Sequence, residues 1–351
     1  MTMTLSGTLT GTLAGTLAGR KILVTGSAGF VGMHVAQALL DRGCTVLGVD
    51  NFSSYYDVTL KEQRNAVLAA NPNFSVARIS IDDMAALAPA WEAFQPDVVV
   101  HLAAQAGVRY SIDHPETYVA SNLVGSFNIL ELARRTKPAH LLAASTSSFY
   151  GGNTAMPFRE TDQCTTPLTF YAATKGATEL MGHSYAHLFG VPMTFFRFFT
   201  VYGPWGRPDM ALFKFTRAII EGTPIDVYNH GEMVRDFTYV ADLAEAVVRL
   251  IGAVPGTVPV SPEDSLSPVA PHRIVNIAQG EPVRLLDYIA AIETAVGKPA
   301  IMNLLPMQPG EVLRTEASTD LLRALIDYVP STPVAAGVPN FVAWYRQHYG
   351  V

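Results

Sequence analysis

Short apolar runs alternate with segments of helical length along residues 21–200. Runs such as KILVTG, TVLGVD, FSVARISI and DVVVHLAA indicate strands, and those that are apolar throughout indicate strands covered on both faces of a sheet. Between the runs, VGMHVAQALLDRG, MAALAPAWEAF and residues 57–71, 115–136 and 168–189 have the pattern of helices. This alternation predicts an α/β fold built on a doubly wound parallel sheet.

The pattern changes near residue 200, after one further predicted strand, PMTFFRFFTVYG. Beyond it, helices and short strands predict a smaller mixed α/β lobe over 201–351 that completes a cleft, with some elements returning to the first domain at 20–200. Residues 1–19 repeat GTL and are predicted to be a disordered, low-complexity arm. The proline-rich stretch 253–271 is predicted to be a surface excursion.

Composition narrows the class of protein. Of 351 residues, 49% are apolar and 15% are charged, which is typical of a packed globular chain. The net charge of −6, with scattered basic residues, argues against a nucleic acid partner. No apolar run approaches the ~18 residues that a membrane helix needs. Cys44 and Cys164 provide no disulfide framework, so we expect a cytoplasmic protein.

The stretch VTGSAGFVG places Gly26, Gly29 and Gly32 directly after a predicted strand and at the start of a helix. Glycines there permit a tight turn, and the helix amides can bind a pyrophosphate. Asp50 ends the next strand, where a carboxylate accepts ribose hydroxyls and repels a 2′-phosphate. The sequence therefore predicts NAD as the cofactor, and a glycine turn that serves packing alone is the alternative.

Tyr171 and Lys175 in YAATK share one helix face at i,i+4 spacing. A tyrosine with a pKa near ~10 is a poor base, and lowering that value by about three units requires about 4 kcal/mol. One ammonium about 4–5 Å away, at an effective dielectric constant of about 20, supplies an amount of that size. Tyr171 is therefore a candidate base for hydroxyl oxidation, and a buried aromatic beside an exposed lysine is the alternative.

The order TGSAGFVG, HLAAQAGVR, ASTSSFYG, YAATK resembles the extended short-chain dehydrogenase/reductases that act on nucleotide sugars. DNFSSYYDVTLKEQR, GPWGRPDM, VRDFTYVAD and MQPGEVLRTEAST extend the resemblance to the UDP-glucuronate 4-epimerases, from Arg20 to Tyr349. It implies a Rossmann-type fold and C4 epimerisation of UDP-glucuronic acid to UDP-galacturonic acid through a 4-keto intermediate. It also implies bound NAD and a homodimer formed by helices 115–136 and 168–189.

The resemblance also assigns residues to roles. Tyr171 is the base, Lys175 lowers its pKa, and Thr146 holds the C4 oxygen. Besides Tyr171 and Lys175, the expected cofactor site comprises Gly26, Ala28, Gly29, Phe30, Val31, Gly32, Asp50, Asn51, Ser80, Ile81, Leu102, Ala103, Ala104 and Asn122. The expected substrate contacts are Thr200 and Arg207 at the sugar, Arg109 at the cleft mouth, Arg235 at the diphosphate, and Tyr228 and Glu311 at uridine. Ser80 stands where the family usually has aspartate, which weakens the expected contact with adenine.

Four hydroxyl residues, Ser145 to Ser148, follow one another without an acid. Related dehydratases usually place Asp-Glu after the threonine, and UDP-glucuronate decarboxylases usually carry Thr-Ser-Glu. A 4-keto derivative of the sugar acid loses CO₂ readily, and neutral donors on its carboxylate oppose that loss. We therefore hypothesise that Ser147, Ser148 and Thr200 clamp the carboxylate. The alternative is that the serines only satisfy a strand end.

Three other functions stay open: a UDP-glucose 4-epimerase, a UDP-glucuronate decarboxylase, and a catalytically silent NAD-binding sensor. The intact Tyr171 and Lys175 argue against the sensor. His183 and His187 have a metal-compatible spacing, but no third ligand is apparent, so no metal site is expected. His101 ends a strand and is expected to be structural.

Overall fold

The computed structural model describes residues 17–308 and 310–351. Its strands are β1 Lys21–Thr25, β2 Thr45–Val49, β3 Phe74–Ala77, β4 Val98–His101, β5 His140–Thr146, β6 Met193–Phe198, β7 Thr200–Tyr202, β8 Ile225–Tyr228, β9 Val234–Tyr239, β10 His272–Ile277, β11 Pro282–Arg284 and β12 Met302–Leu305. Its α-helices are α1 Phe30–Leu40, α2 Val58–Ala69, α3 Met84–Phe94, α4 Tyr110–Asp113, α5 Pro115–Tyr118, α6 Gly125–Thr136, α7 Phe170–Phe189, α8 Ala211–Glu221, α9 Val240–Leu250, α10 Leu285–Val296, α11 Asp320–Ile326 and α12 Val334–Tyr349. In this part of the chain, every helix is too short or too polar to cross a lipid bilayer.

The central sheet has seven strands in the order β10-β6-β5-β4-β1-β2-β3. All of its pairings are parallel, which confirms the predicted doubly wound sheet. The strand order reverses beside β1, and ligands of such sheets bind at the carboxyl ends of the strands at this point. The smaller lobe contains a three-stranded sheet, β11-β9-β7, and a two-stranded sheet, β12-β8.

Both faces of the central sheet are covered by apolar packing, as the continuous apolar strands predict. In β1, Ile22 and Val24 pack in the cluster that includes α1, α9 and α11, whereas Leu23 packs in the opposite cluster with α3 and α6. All three side chains are fully buried. A third cluster, around Tyr202 and Phe341, forms the core of the smaller lobe.

The prediction of a single strand over PMTFFRFFTVYG is wrong. The chain leaves the central sheet after Phe198 and joins the three-stranded sheet at Thr200. Phe199, at the break, is buried with Tyr150 and Phe158, so the apolar pattern runs through the break without marking it. Because Phe198 lies opposite Thr146 in the register of β5 and β6, Thr200 follows at the same edge of the sheet.

The packed chain begins before the predicted domain boundary at residue 20. Leu17 is only 5% exposed and belongs to the main core cluster, and the backbone N–H of Gly19 donates to the Gly43 carbonyl at 2.9 Å. The expectation of a disordered arm through residue 19 is therefore wrong for residues 17–19. The rest of that prediction, residues 1–16, lies outside the described residues.

The proline-rich stretch 253–271 lies along the outer edge of β10, where polar contacts fix it. The buried Arg273 of β10 donates to Asp264 at 2.9 Å. The Ser265 hydroxyl accepts from the Ile274 N–H at 3.0 Å and donates to the Ile274 carbonyl. The Ser267 N–H donates to the His272 carbonyl at 2.9 Å. The excursion is therefore a fixed cover on one end of the central sheet.

Candidate active site

The glycine turn between β1 and α1 forms a tight cradle. Gly26 has φ of +73°, which favours glycine, and a Cβ there would lie 2.8 Å from the Ala103 nitrogen. A Cβ on Gly32 would lie 1.9 Å from the Gly26 carbonyl oxygen, so only glycine lets α1 approach the turn. The amino end of α1, with Gly29, Phe30 and Val31, therefore opens directly on the turn, as a pyrophosphate site requires.

Asp50, 8% exposed at the end of β2, stands beside this turn. Its carboxylate accepts the N–H of Ala28 at 3.0 Å and the N–H of Phe52 at 2.8 Å. Because a carboxylate has about four acceptor positions, it retains acceptors for ribose hydroxyls. The Asp50 carboxylate, as an acceptor for ribose hydroxyls, and the glycine cradle together fit a dinucleotide without a 2′-phosphate.

The predicted Asn51, Ser80 and Ile81 lie next to this carboxylate, with unequal exposure. The Asn51 amide donates to the Ser80 hydroxyl at 3.2 Å, and that hydroxyl donates to Asp82. Ile81 is only 5% exposed and packs against Gly125, where a Cβ would approach it to 2.6 Å. Of Ser80 and Ile81, Ser80 is therefore the residue that presents a polar group beside Asp50.

Leu102 and Ala103, which precede Ala104 after β4, are fixed to β1 through one hydroxyl. The Thr25 Oγ1 accepts from the N–H of Leu102 at 3.1 Å and of Ala103 at 3.0 Å, and it donates to His101 Nδ1 at 2.7 Å. Burial lowers the pKa of His101 to about 3, so its ring stays neutral. His101 therefore holds the strand end and does no acid–base work.

Asn122 supports the loop after β4 from a single π-helical turn, Val119–Val124. Its amide oxygen accepts the Gln105 N–H at 2.8 Å, and its nitrogen donates to the Gln105 carbonyl and to Thr174 Oγ1. The side chain is fully buried. Asn122 thus links the cofactor-side loop to α7, and these bonds assign it to support of the loop.

Tyr171 and Lys175 occupy the first turns of α7, which is capped by the Thr169 hydroxyl. Burial raises the pKa of Tyr171, whereas a hydrogen bond from Thr146 and the charge of Arg207 lower it. Thr146 Oγ1 accepts the Ser148 N–H at 3.1 Å, so its own hydrogen is free to donate to the tyrosine oxygen. Thr146 therefore lies close enough to Tyr171 to lower its pKa, and the catalytic roles of the two residues stay predictions.

Lys175 is 3% exposed, and burial lowers its pKa to about 8 while Glu179 opposes that shift. Besides burial, its charge lowers the pKa of His101. The charge of Arg207 lowers the pKa of Tyr171, and the effect of Lys175 on Tyr171 stays a prediction of the i,i+4 spacing. Lys175 keeps a buried ammonium one helical turn from Tyr171.

The four hydroxyls of Ser145 to Ser148 face different surroundings. Ser145 is buried and donates to Glu179, whose carboxylate also pairs with Arg197 at 2.7 Å. Thr146 meets Tyr171, whereas Ser147 and Ser148 are half-buried in a 3₁₀ turn that follows the strand. Thr200 is also half-buried and follows the adjacent strand. The three residues of the proposed clamp therefore lie at one edge of the sheet.

Arg207 lies in a half-buried aromatic corner that sequence reasoning only partly anticipates. It pairs with Asp209 at 3.0 Å, and the Tyr55 hydroxyl donates to the same carboxylate at 3.2 Å. The Tyr55 ring packs on Tyr110 at 4.8 Å, while Tyr118 lies 6.0 Å from Tyr171. Tyr55 and Asp209 were missed as site residues, although the adjacent tyrosines of YYDVTLK and the acid of GRPDM were the available signals.

Arg109, Tyr228, Arg235 and Glu311 form a second cluster, at the mouth of the cleft. The Glu311 carboxylate accepts from Arg109 at 3.0 Å and from Arg235 at 3.2 Å. The Arg109 guanidinium also lies 4.6 Å from the centre of the Tyr228 ring. Two cations, one anion and an aromatic face suit a diphosphate attached to a flat base. Four predicted substrate residues are thus adjacent.

His183 and His187 both point to the proline-rich stretch. His183 Nε2 bonds the Ser267 hydroxyl at 2.8 Å, and His187 Nδ1 bonds the Val269 carbonyl at 2.7 Å. These contacts give the two histidines a structural explanation that needs no ion.

Comparison with known proteins agrees with this geometry. The NAD dependent epimerase/dehydratase family model matches residues 22–260. A probable UDP-glucuronate 4-epimerase of Rhizobium meliloti is 55% identical over 94% of this chain and 98% of its own length. UDP-glucuronate 4-epimerase 4 of Arabidopsis thaliana is 41% identical over 93% of this chain and 76% of its own length. The chain therefore belongs to the NAD-dependent epimerase/dehydratase family.

Solved structures resemble the chain over most of its length. UDP-glucuronic acid 4-epimerase from Bacillus cereus, in complex with UDP-glucuronic acid and NAD, aligns with a TM-score of 0.83 and 32% identity. The alignment covers 94% of this chain and 100% of that one. A UDP-glucose 4-epimerase of Thermotoga maritima, with UDP-glucose, aligns with a TM-score of 0.81 and 26% identity. Epimerases that act on different UDP-sugars therefore share this architecture.

Proposed function

We propose that this chain is a UDP-glucuronate 4-epimerase that interconverts UDP-glucuronic acid and UDP-galacturonic acid with a resident NAD. The observation that carries the proposal is the packing of α7, which bears Tyr171 and Lys175, against the acid-free turn of Ser147 and Ser148, whose Phe149 contacts Gly176. The glycine cradle and Asp50 fit NAD, which accepts a hydride from C4 of the sugar and returns it. The relatives in Rhizobium, Arabidopsis and Bacillus support the choice of sugar acid.

Tyr171 is the group that takes the proton of the C4 hydroxyl. Thr146 donates to the oxygen of Tyr171, and the Arg207 cation stabilises the ionised form of Tyr171, which is the form that takes the proton. The same proton returns from Tyr171 when the C4 carbonyl of the intermediate is reduced on its other face. Lys175 adds a buried ammonium one helical turn away.

The carboxylate of the sugar acid needs protection once C4 is a ketone. Ser147, Ser148 and Thr200 are neutral donors at the edge of the sheet where Tyr171 lies, and they are the proposed clamp. Each hydrogen bond to the charged carboxylate contributes roughly 1.5–3 kcal/mol. The UDP group is proposed to occupy the cluster of Arg109, Tyr228, Arg235 and Glu311, with Arg235 at the diphosphate.

The proposed reaction can be observed directly by NMR. Purified protein incubated with UDP-glucuronic acid, without added NAD, is expected to give UDP-galacturonic acid with all carbons retained. A UDP-pentose and CO₂ would instead identify a decarboxylase. Faster conversion of UDP-glucose would identify a UDP-glucose 4-epimerase, and bound NAD without turnover of either sugar would identify a sensor.

We also propose a homodimer, formed by the helices that the resemblance indicates. Val124 and Phe127, at the π-helical turn and α6, are 43% and 45% exposed, and Leu180 and Leu188 of α7 are 71% and 66% exposed. An apolar surface on two neighbouring helices is suited to a second copy of the same face. A cytoplasmic location is proposed as well, supported by two free thiols.

Leu180→Glu is expected to convert the dimer to a monomer, because two copies of the carboxylate would be buried near the symmetry axis. Analytical ultracentrifugation measures the change in mass. Leu304→Glu is the matched control, since Leu304 is 52% exposed on β12, outside this surface. A dimer that persists in Leu180→Glu, or a wild-type monomer, contradicts the proposed interface.

A further inference from the structure

Arg64 of α2 is a fully buried arginine whose partners are all neutral. Its Nη1 donates to the Ala28 carbonyl at 3.2 Å and to the Tyr56 hydroxyl at 2.7 Å. Its Nη2 donates to the carbonyls of Trp205 at 2.6 Å and Gly206 at 3.2 Å, and its Nε has no hydrogen-bond partner. Within the described residues, no carboxylate forms an ion pair with it.

Burying such a cation is costly, and an apolar side chain of similar volume usually stabilises a core at least as well. The two ends of the guanidinium reach different functional loops. One end holds Ala28 in the glycine turn, and the other holds the two residues that directly precede Arg207. The placement of Arg64 therefore points to a role in function beyond stability.

The loop that Arg64 holds is constrained from two further sides. Trp205 has φ of +62°, a strained conformation for a residue with a bulky side chain. Its ring packs on Trp344 at 5.3 Å and on His348 at 5.0 Å. From α1, His34 Nε2 bonds the Pro204 carbonyl at 3.0 Å, and burial lowers the pKa of His34 to about 4, so this ring stays neutral.

Arg207 directly follows the constrained residues Trp205 and Gly206 in the chain. Its charge reaches Arg64, whose pKa it helps to lower, and it also reaches Tyr171. A shift of the Trp205 and Gly206 carbonyls would therefore move the cation that faces the tyrosine. The Arg64 guanidinium also donates to the Ala28 carbonyl. The conformation of the glycine turn and the position of Arg207 therefore both depend on the Arg64 side chain.

We propose that Arg64 is a positioning residue that couples the cofactor turn at Ala28 to Arg207 and thereby keeps the reaction on the epimerisation path. The effect on products rests on the proposed function; the coupling itself does not. In the competing path the C5–C6 bond of the 4-keto intermediate breaks, CO₂ leaves, the electron pair forms an enolate between C5 and C4, and C5 takes a proton from water. The resulting 4-keto pentose becomes the UDP-pentose when the hydride first removed from C4 returns to it and the C4 oxygen takes a proton. A displaced Arg207 favours this path because the pKa of Tyr171 then rises, Tyr171 returns the proton to the C4 oxygen more slowly, and the 4-keto intermediate persists longer.

The test uses Arg64→Lys, which keeps the charge and loses the forked geometry. We expect the ratio of UDP-pentose to UDP-galacturonic acid to rise by about tenfold, the effect of weakening one charged hydrogen bond. Arg42→Lys is the matched control: Arg42 also joins two helices, through Ala38 and Glu245, but lies away from the cleft. An unchanged product ratio in Arg64→Lys would overturn the effect on products, because a structural role lowers only the amount of active enzyme.

Hydrogen–deuterium exchange tests the coupling without turnover. In wild-type protein stripped of cofactor, added NAD is expected to slow exchange in the peptide covering residues 203–210, and in Arg64→Lys this response is expected to vanish. If wild type shows no response, the coupling is wrong even where epimerisation is observed. If the response is present but UDP-glucuronic acid is not epimerised, the proposed function fails and the coupling stands.

His34→Leu provides a second variant in case Arg64→Lys does not fold. It removes the contact with Pro204 and keeps most of the side-chain volume, so the product ratio and the exchange response should change in the same direction by a smaller factor. Wild-type behaviour of a folded His34→Leu in both measurements contradicts a role for the constrained loop.

Discussion

Tyr171→Phe is expected to reduce epimerisation by about a thousandfold while leaving the fold and the bound NAD in place, a loss within the range for removal of a general base. The substitution removes only the hydroxyl, which meets Thr146 and faces the charge of Arg207. Without it, no group at this position takes the C4 proton as the hydride leaves. Steady-state rates with UDP-glucuronic acid, together with absorbance of the cofactor released on denaturation, measure both quantities.

Tyr185→Phe is the control for this substitution. Tyr185 lies on the same helix, but its hydroxyl donates to Glu131 at 2.7 Å, away from the cleft. We expect wild-type turnover in the control. Full turnover in Tyr171→Phe, with Tyr185→Phe unchanged, would remove Tyr171 from the mechanism and require another group as the base.

Ser148→Glu is expected to change the product as well as the rate. Two carboxylates about 4 Å apart, at an effective dielectric constant of about 20, repel each other by about 4 kcal/mol, so the substrate should bind more weakly. The variant also loses a neutral donor to the substrate carboxylate. We expect KM to rise because of the repulsion. We also expect epimerisation to fall by about a hundredfold and a UDP-pentose to appear, because the lost hydrogen bond to a charged acceptor, worth up to ~3 kcal/mol, corresponds to a factor of that order.

Ser148→Gln separates charge from size in the same position. The glutamine has the shape of glutamate and keeps a neutral donor, so its products should remain free of UDP-pentose even if its rate falls. Mass spectrometry of the sugar nucleotides identifies the pentose by the loss of CO₂. Equal pentose formation by both variants shows that crowding is responsible, and absence of pentose from Ser148→Glu with unharmed epimerisation refutes the clamp.

Much of the central architecture could be predicted because buried parallel strands and their covering helices have a simple periodicity. The glycine turn, Asp50 and the Tyr171–Lys175 pair were also accessible, since each lies at a fixed distance from a strand or helix end. Phe199 shows the limit of this reasoning. An apolar run continues through a change of sheet when the residue at the break is itself buried.

The environments of the charged side chains inside the protein could not be predicted from the sequence in the same way. Arg64 falls in a predicted helix where an arginine is typical of the exposed face, and its burial depends on loops more than a hundred residues away. Arg207 is a second case, because its charge lowers the pKa of Tyr171 from outside α7. Helical spacing specifies neighbours within a helix, whereas the charge that reaches a hydroxyl is decided by tertiary packing.

The proline-rich cover on β10 has a consequence for the behaviour of the molecule at high concentration. An end strand of a sheet offers unpaired backbone groups to any passing extended chain, and such strands promote aggregation when left open. At Ile274, the Ser265 hydroxyl already occupies both the N–H and the carbonyl. Because prolines have no N–H to continue a ladder, the cover ends the sheet and offers little backbone for further pairing. Residues 253–271 are therefore expected to limit the pairing of β10 with other chains.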